Sequence, residues 1–118
     1  MTRSALATLG ALILLAGCAP ATSTAESKDR AECKEYARTF EHSGRMKDAC
    51  LISRGYTVSY STNGGGVDVA ARAQPRPAAE VVATDLKACN DQSGLGYEGR
   101  LQFTRCMTPR GYTVRSGD

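Results

Sequence analysis

Cys33-x16-Cys50-Leu-Ile-Ser-Arg-Gly-Tyr-Thr-Val58 recurs as Cys89-x16-Cys106-Met-Thr-Pro-Arg-Gly-Tyr-Thr-Val114. Equal cysteine spacing and an identical Arg-Gly-Tyr-Thr-Val ending define a tandem duplication, and a repeat fixes the architecture before any local reading does. In the first copy Cys33, Tyr36, Ala37 and Phe40 fall at i, i+3, i+4 and i+7, the apolar stripe of a helix over about residues 27–41. Met46, Ala49 and Cys50 mark a second helix, and His42-Ser43-Gly44 reads as the break between them. Val82, Leu86 and Cys89, then Phe103, Cys106 and Met107, repeat the plan around the looser break Ser93-Gly94-Leu95-Gly96.

Each unit closes on the same stop signal. Gly55 and Gly111 stand where a left-handed C′ residue ends a helix, so that Tyr56 or Tyr112 packs back on Leu51 or Met107. Pro109 replaces Ser53 in the second copy and disfavours helical geometry at Thr108, ending that helix early. After the first stop, Tyr56, Val58 and Tyr60 alternate with polar residues, Asn63-Gly64-Gly65-Gly66 turns the chain, and Val67 and Val69 alternate again. Residues 56–71 fit a short antiparallel β-hairpin, to which Tyr112 to Val114 adds a third strand, and equally a flexible glycine-rich linker. The expected fold is therefore α+β, mainly α: two disulfide-stapled helical hairpins in tandem, spanning residues 29–71 and 80–118 with a Pro-containing linker at 72–79.

The rest of the chain is leader and tether. Arg3, an apolar run from Leu6 to Ala16 and then small residues follow the order of a secretory signal. The run is shorter than the roughly 20 apolar residues a spanning helix needs. It ends in Leu15-Ala16-Gly17-Cys18, which resembles the bacterial lipobox at all four positions. The resemblance to lipoprotein precursors implies removal of residues 1–17, diacylglycerol on the Cys18 sulfur and an acyl chain on the new amino terminus. At ~0.8 kcal/mol per buried methylene, such chains make the attachment effectively permanent. Ala19, rather than Asp, follows the cysteine, which in that family favours the outer membrane. Residues 18–28 read as a polar tether. Ala19-Pro20-Ala21 also fits an ordinary signal peptidase, but a cysteine placed directly after Leu-Ala-Gly favours lipid attachment.

With Cys18 assigned to lipid, four cysteines remain. A unit copied whole most simply carries its own bridge, giving Cys33–Cys50 and Cys89–Cys106; the rival pairing, Cys33–Cys106 with Cys50–Cys89, would lock the copies together. Staples are in character for a chain of 118 residues without Trp and with only two Phe, which has little apolar volume for a core. The repeat endings are similar to those of many small proteobacterial lipoproteins, in which Cys-Met precedes a Lys/Arg-Gly-Tyr/Trp close. Here the matching residues are Cys106-Met107 and Arg110-Gly111-Tyr112, with Leu51 replacing Met in the first copy. That resemblance implies no catalytic residues.

Little in the sequence points to catalysis. Zinc sites pair their thiolates as C-x2-4-C, whereas the closest of these four cysteines are separated by sixteen intervening residues in a chain bound for an oxidising compartment, so neither metal nor another cofactor is expected. Thiol redox chemistry lacks its C-x-x-C. The sole histidine, His42, lies in a turn between Glu41 and Ser43 with no counterpart in the second copy, which fits a solvated side chain better than a general base. Glu32, Glu35, Asp91 and Glu98 sit among Lys and Arg as surface charges. A net charge of +3 without interleaved aromatics gives no case for nucleic acid. The expectation is a non-enzymatic envelope lipoprotein, held to the membrane through Cys18 and meeting an envelope protein partner. The alternative is a small inhibitor of an envelope or exported hydrolase, presenting Ser93 to Gly99 as a rigid loop.

Overall fold

The computed structural model describes residues 21–72 and 75–116. The leader and Cys18 lie outside them. The chain divides into a unit ending at Ala31 and a compact unit from Glu32 onward. Its elements are helices α1 (Ala21–Ala37) and α2 (Ser43–Ser53), strands β1 (Val58–Thr62) and β2 (Gly65–Ala71), helices α3 (Ala79–Gln92) and α4 (Gly96–Met107), and strand β3 (Tyr112–Ser116).

Helix α1 starts inside the segment expected to be a tether, because no Gly or Pro interrupts residues 21–37. An exposed i, i+4 pair, Arg30–Glu26 at 3.0 Å, joins two of its turns. The helix ends earlier than its apolar stripe suggested. Arg38 and Phe40 donate backbone N–H bonds to Glu35 and Ala37 in tight turns, and His42 already accepts the first α2 bond from Met46. The break is therefore residues 38–42 rather than His42-Ser43-Gly44. Ser43 and Gly44 belong to the first turn of α2, where Gly44 carries the backbone-entropy cost of a glycine in a helix. Phe40 leaves the helical stripe and lies in the turn, 36% exposed with its ring 5.2 Å from Tyr36.

Both disulfides form within their own copies, Cys33–Cys50 and Cys89–Cys106, each with Cα atoms 5.5 Å apart. The first copy ends in a full Schellman motif. Tyr56 N–H donates to Leu51 O and Gly55 N–H to Ile52 O, with Gly55 at φ 100°. In the second copy α4 stops at Met107 and a 3-10 turn over Thr108–Arg110, containing Pro109, carries the chain to Gly111 at φ 105°.

Residues 56–71 are a hairpin and not a free linker. β1 and β2 pair antiparallel around the two-residue turn Asn63-Gly64, and β3 adds to the other side of β2 in the order β1-β2-β3. Val69 pairs with Val58 on one side and Val114 on the other, so equivalent residues of the two copies flank one position. The inner face of the sheet carries Tyr60, Val67, Val69 and Tyr112. These pack with Met46, Ala49 and Ile52 of the first hairpin and Val82, Leu86, Phe103 and Met107 of the second in a single core. A smaller cluster of Cys33, Cys50 and Leu51, bordered by Tyr36 and Tyr56, fills the first hairpin. Neither hairpin has a complete core of its own, as expected of units this small.

Candidate functional site

The loop between α3 and α4 is the most elaborately fastened surface of the molecule. Helix α3 ends where Ser93 turns extended, its hydroxyl donating back to Cys89 O at 2.7 Å. Gly96, at φ 69°, restarts the chain as α4. The tip of the β-hairpin then docks on this loop. Asn63 N–H donates to Asn90 Oδ1 at 2.9 Å, and its side-chain amide donates to Asn90 O at 3.0 Å and Ser93 O at 3.4 Å. Arg100 donates to Gly64 O at 2.8 Å, and Gly94 N–H to Gln102 Oε1 at 2.7 Å. The backbones approach so closely that a Cβ on Gly99 would lie 1.9 Å from Gly94 O, and one on Gly64 2.6 Å from Gly96 O. With the Cys89–Cys106 bridge closing the same hairpin, the loop is held from both sides.

On this fixed backbone Leu95 is 79% exposed and Tyr97 63% exposed, and the Arg100 guanidinium lies 5.8 Å from the Tyr97 ring. The arrangement presents two apolar side chains whose backbone is already ordered, which lowers the entropic cost of contact with a partner. Sequence reading marked the loop Ser93 to Gly99, but not Asn63, Gly64, Asn90 or Arg100, which hold it.

Other residues singled out in the sequence lie apart from this loop. His42 caps α2 in solvent without a side-chain cap bond, between exposed Glu41 and Ser43. Glu35 pairs with Arg38 at 3.0 Å and Asp91 with Lys87 at 2.6 Å within their own segments; Glu98 is exposed in the first turn of α4. Glu32 instead reaches Arg54 at the C-cap of α2, 2.7 Å away. Among the described residues no three His, Cys, Asp or Glu side chains are grouped to hold a metal ion.

The second copy contains a polar network, running from a buried tyrosine to an exposed arginine, that the sequence reading missed. Tyr112 is fully buried, and its hydroxyl donates to Asp85 at 2.7 Å while Arg110 pairs with the other carboxylate oxygen at 2.9 Å. Burial, and then the adjoining carboxylate, push the Tyr112 phenol well above its ordinary range. A signal was available, since the cysteine offset that maps Cys33 onto Cys89 also maps Asp29 onto Asp85. Elsewhere the Tyr36 hydroxyl donates to Glu80 at 2.8 Å, which holds that carboxyl below its ordinary value. Asp48, half-buried on α2, is pushed upward by desolvation.

Comparison of the chain with models of known families, with curated proteins and with solved structures returns no match.

Proposed function

We propose that this protein is a membrane-anchored envelope lipoprotein whose body is a non-enzymatic structural or interaction module, held by lipid on Cys18 at the outer membrane and facing the periplasm. The carrying observation is Leu15-Ala16-Gly17-Cys18 at the end of an apolar run. Two intact disulfides are in keeping with an exported body. Among the described residues no helix is long and apolar enough to cross a membrane. The presented surface is Leu95 and Tyr97 on their clasped loop, and the partner is another envelope protein. Cys18→Ser should abolish incorporation of a fatty-acid analogue and leave uncut precursor or an unanchored form. Equal labelling of mutant and parent would overturn the reading.

The same loop favours one second reading, inhibition of an envelope or exported hydrolase, because a fixed backbone with protruding side chains suits insertion into a cleft. Leu95→Ser with Tyr97→Ser separates the two. Under inhibition, a captured hydrolase regains activity when the pair is replaced; under the leading reading capture is lost and no hydrolytic activity changes.

A further inference from the structure

The outward face of the sheet carries a second surface that the clasped loop does not use. Strand alternation places Ala70 and Thr113 side by side, with Thr57 extending their row just before β1, and places Ser59, Asp68 and Arg115 in the next row. Thr57 and Thr113 are the same position of the duplicated Arg-Gly-Tyr-Thr-Val, so the repeat sets one hydroxyl on each side of the Ala70 methyl. Thr57, Asp68, Ala70, Thr113 and Arg115 line a concavity of about 320 Å³. That volume falls at the lower end of small-molecule sites, about 300–1,000 Å³.

Its charges are arranged unusually. Asp68 and Arg115 are direct cross-strand partners, a placement in which opposite charges ordinarily pair. Here Asp68 accepts the Ser59 hydroxyl at 3.0 Å on the β1 side, and among the described residues Arg115 makes no ion pair. A negative group on the central strand, a positive group beside it on the edge strand, threonine hydroxyls in the adjoining row and a small apolar floor between them complement a molecule carrying its own ammonium and carboxylate on one carbon. A second copy of the chain fits less well. Three strands at about 4.8 Å spacing and ~3.3 Å per residue offer roughly 300 Å², against the about 800 Å² per partner of a stable interface.

We propose that this concavity binds the zwitterionic head of a small α-amino acid. Its carboxylate meets Arg115 and Thr113, its ammonium meets Asp68 and Thr57, and a short side chain lies over Ala70. The test is a titration of alanine into the isotope-labelled full chain in detergent micelles, followed by amide NMR, with acetate and methylamine as single-charge controls. Saturable shifts centred on Thr57, Asp68, Ala70, Thr113 and Arg115 are expected with alanine alone. Asp68→Asn and Arg115→Gln should each weaken binding about tenfold. Ala70→Leu should abolish it, and Leu95→Ser should leave it unchanged. These positions are exposed or half-exposed, so unchanged spectra elsewhere verify folding of each variant. No shifts at millimolar alanine, equal shifts with acetate or methylamine, or indifference to both charge variants would overturn the proposal, and none of these outcomes bears on the anchor or the clasped loop.

Discussion

The two copies share the pentapeptide Arg-Gly-Tyr-Thr-Val and use it differently. In the first, the glycine closes a complete Schellman motif and Tyr56 stays half-buried at the border of a small cluster. In the second, Pro109 tightens the last turn and Tyr112 is fully buried, anchored on Asp85 within the shared core. The hairpin loops diverge as well: residues 38–42 form hydrogen-bonded turns of their own, whereas the second loop is gripped at Asn90 and Ser93 by the β-hairpin tip. The shared pentapeptide thus places a left-handed glycine in both copies, while the surroundings decide how the helix before it ends and whether the following tyrosine becomes border or keystone.

The contrast breaks most sharply at the tyrosines. Tyr112→Ala should cost about 3–5 kcal/mol, the range for large aromatic truncations in a core, against about 1–2 kcal/mol for Tyr56→Ala at its half-buried position. Urea unfolding measures both, and equal losses would erase the distinction. The phenol gives the contrast a pH signature. Because Tyr112 has a folded pKa raised above 10.0, its contribution is fully present below that pH and is lost as pH rises beyond it, when only the unfolded chain gives up the proton. Tyr112→Phe should remove that alkaline loss, whereas Tyr56→Phe should leave it in place.

The disulfides sharpen the comparison in the opposite direction. Both join residues 17 apart, so loop-closure entropy predicts the same loss of about 3 kcal/mol for Cys33→Ala/Cys50→Ala and for Cys89→Ala/Cys106→Ala. A difference above about 1 kcal/mol in urea midpoints at constant m would show that native packing also separates the copies.

Glycines in the two hairpins should respond with opposite signs. Gly99→Ala forces a Cβ against the Gly94 carbonyl and should cost about 1–3 kcal/mol. A Cβ on Gly44 meets nothing within 4 Å inside α2, so Gly44→Ala should stabilise by about 0.5–1 kcal/mol. Melting temperatures that fall for both variants would place the first loop under a constraint like that of the second. The effect expected to be equal is the one the copies share. Gly55→Ala and Gly111→Ala each set a Cβ at positive φ and should cost about 1 kcal/mol. Calorimetry should give matching shifts, with the Arg76 guanidinium 2.9 Å from the Gly55 position free to move aside.

Much of this architecture was legible because duplication makes a sequence its own comparison. Equal spacing between Cys33 and Cys50 and between Cys89 and Cys106 favoured bridges within each copy, whereas alternation around Asn63-Gly64-Gly65-Gly66 suggested strands but fitted a flexible linker equally well. What escaped was set by groups distant in sequence. Phe40 continues the stripe of α1 on paper, yet the helix stops at Ala37, since periodicity records which residues suit burial and not where the backbone turns. Asn63 and Asn90 are ordinary turn and helix-end residues until 27 positions of intervening chain bring them together. The loop itself was identifiable from its glycines, but its rigidity and the exposure of Leu95 and Tyr97 depend on that distant partner.

Strand β2 has no counterpart in the second copy, yet the strand at the end of each Arg-Gly-Tyr-Thr-Val lies against it. β1 meets Val69 from 11 positions away, a local closure that is quick to form, while β3 must return from 45 positions further on. During folding, one side of β2 is therefore zipped early while the other waits as an open row of peptide groups beside Val67 and Val69, the kind of edge on which stray chains nucleate. The second copy ends that exposure when its final strand arrives. A chain cut short of Tyr112 would retain the first bridge and the β-hairpin but keep an adhesive border, so the duplicated ending also serves as the closure that keeps the sheet from recruiting its neighbours.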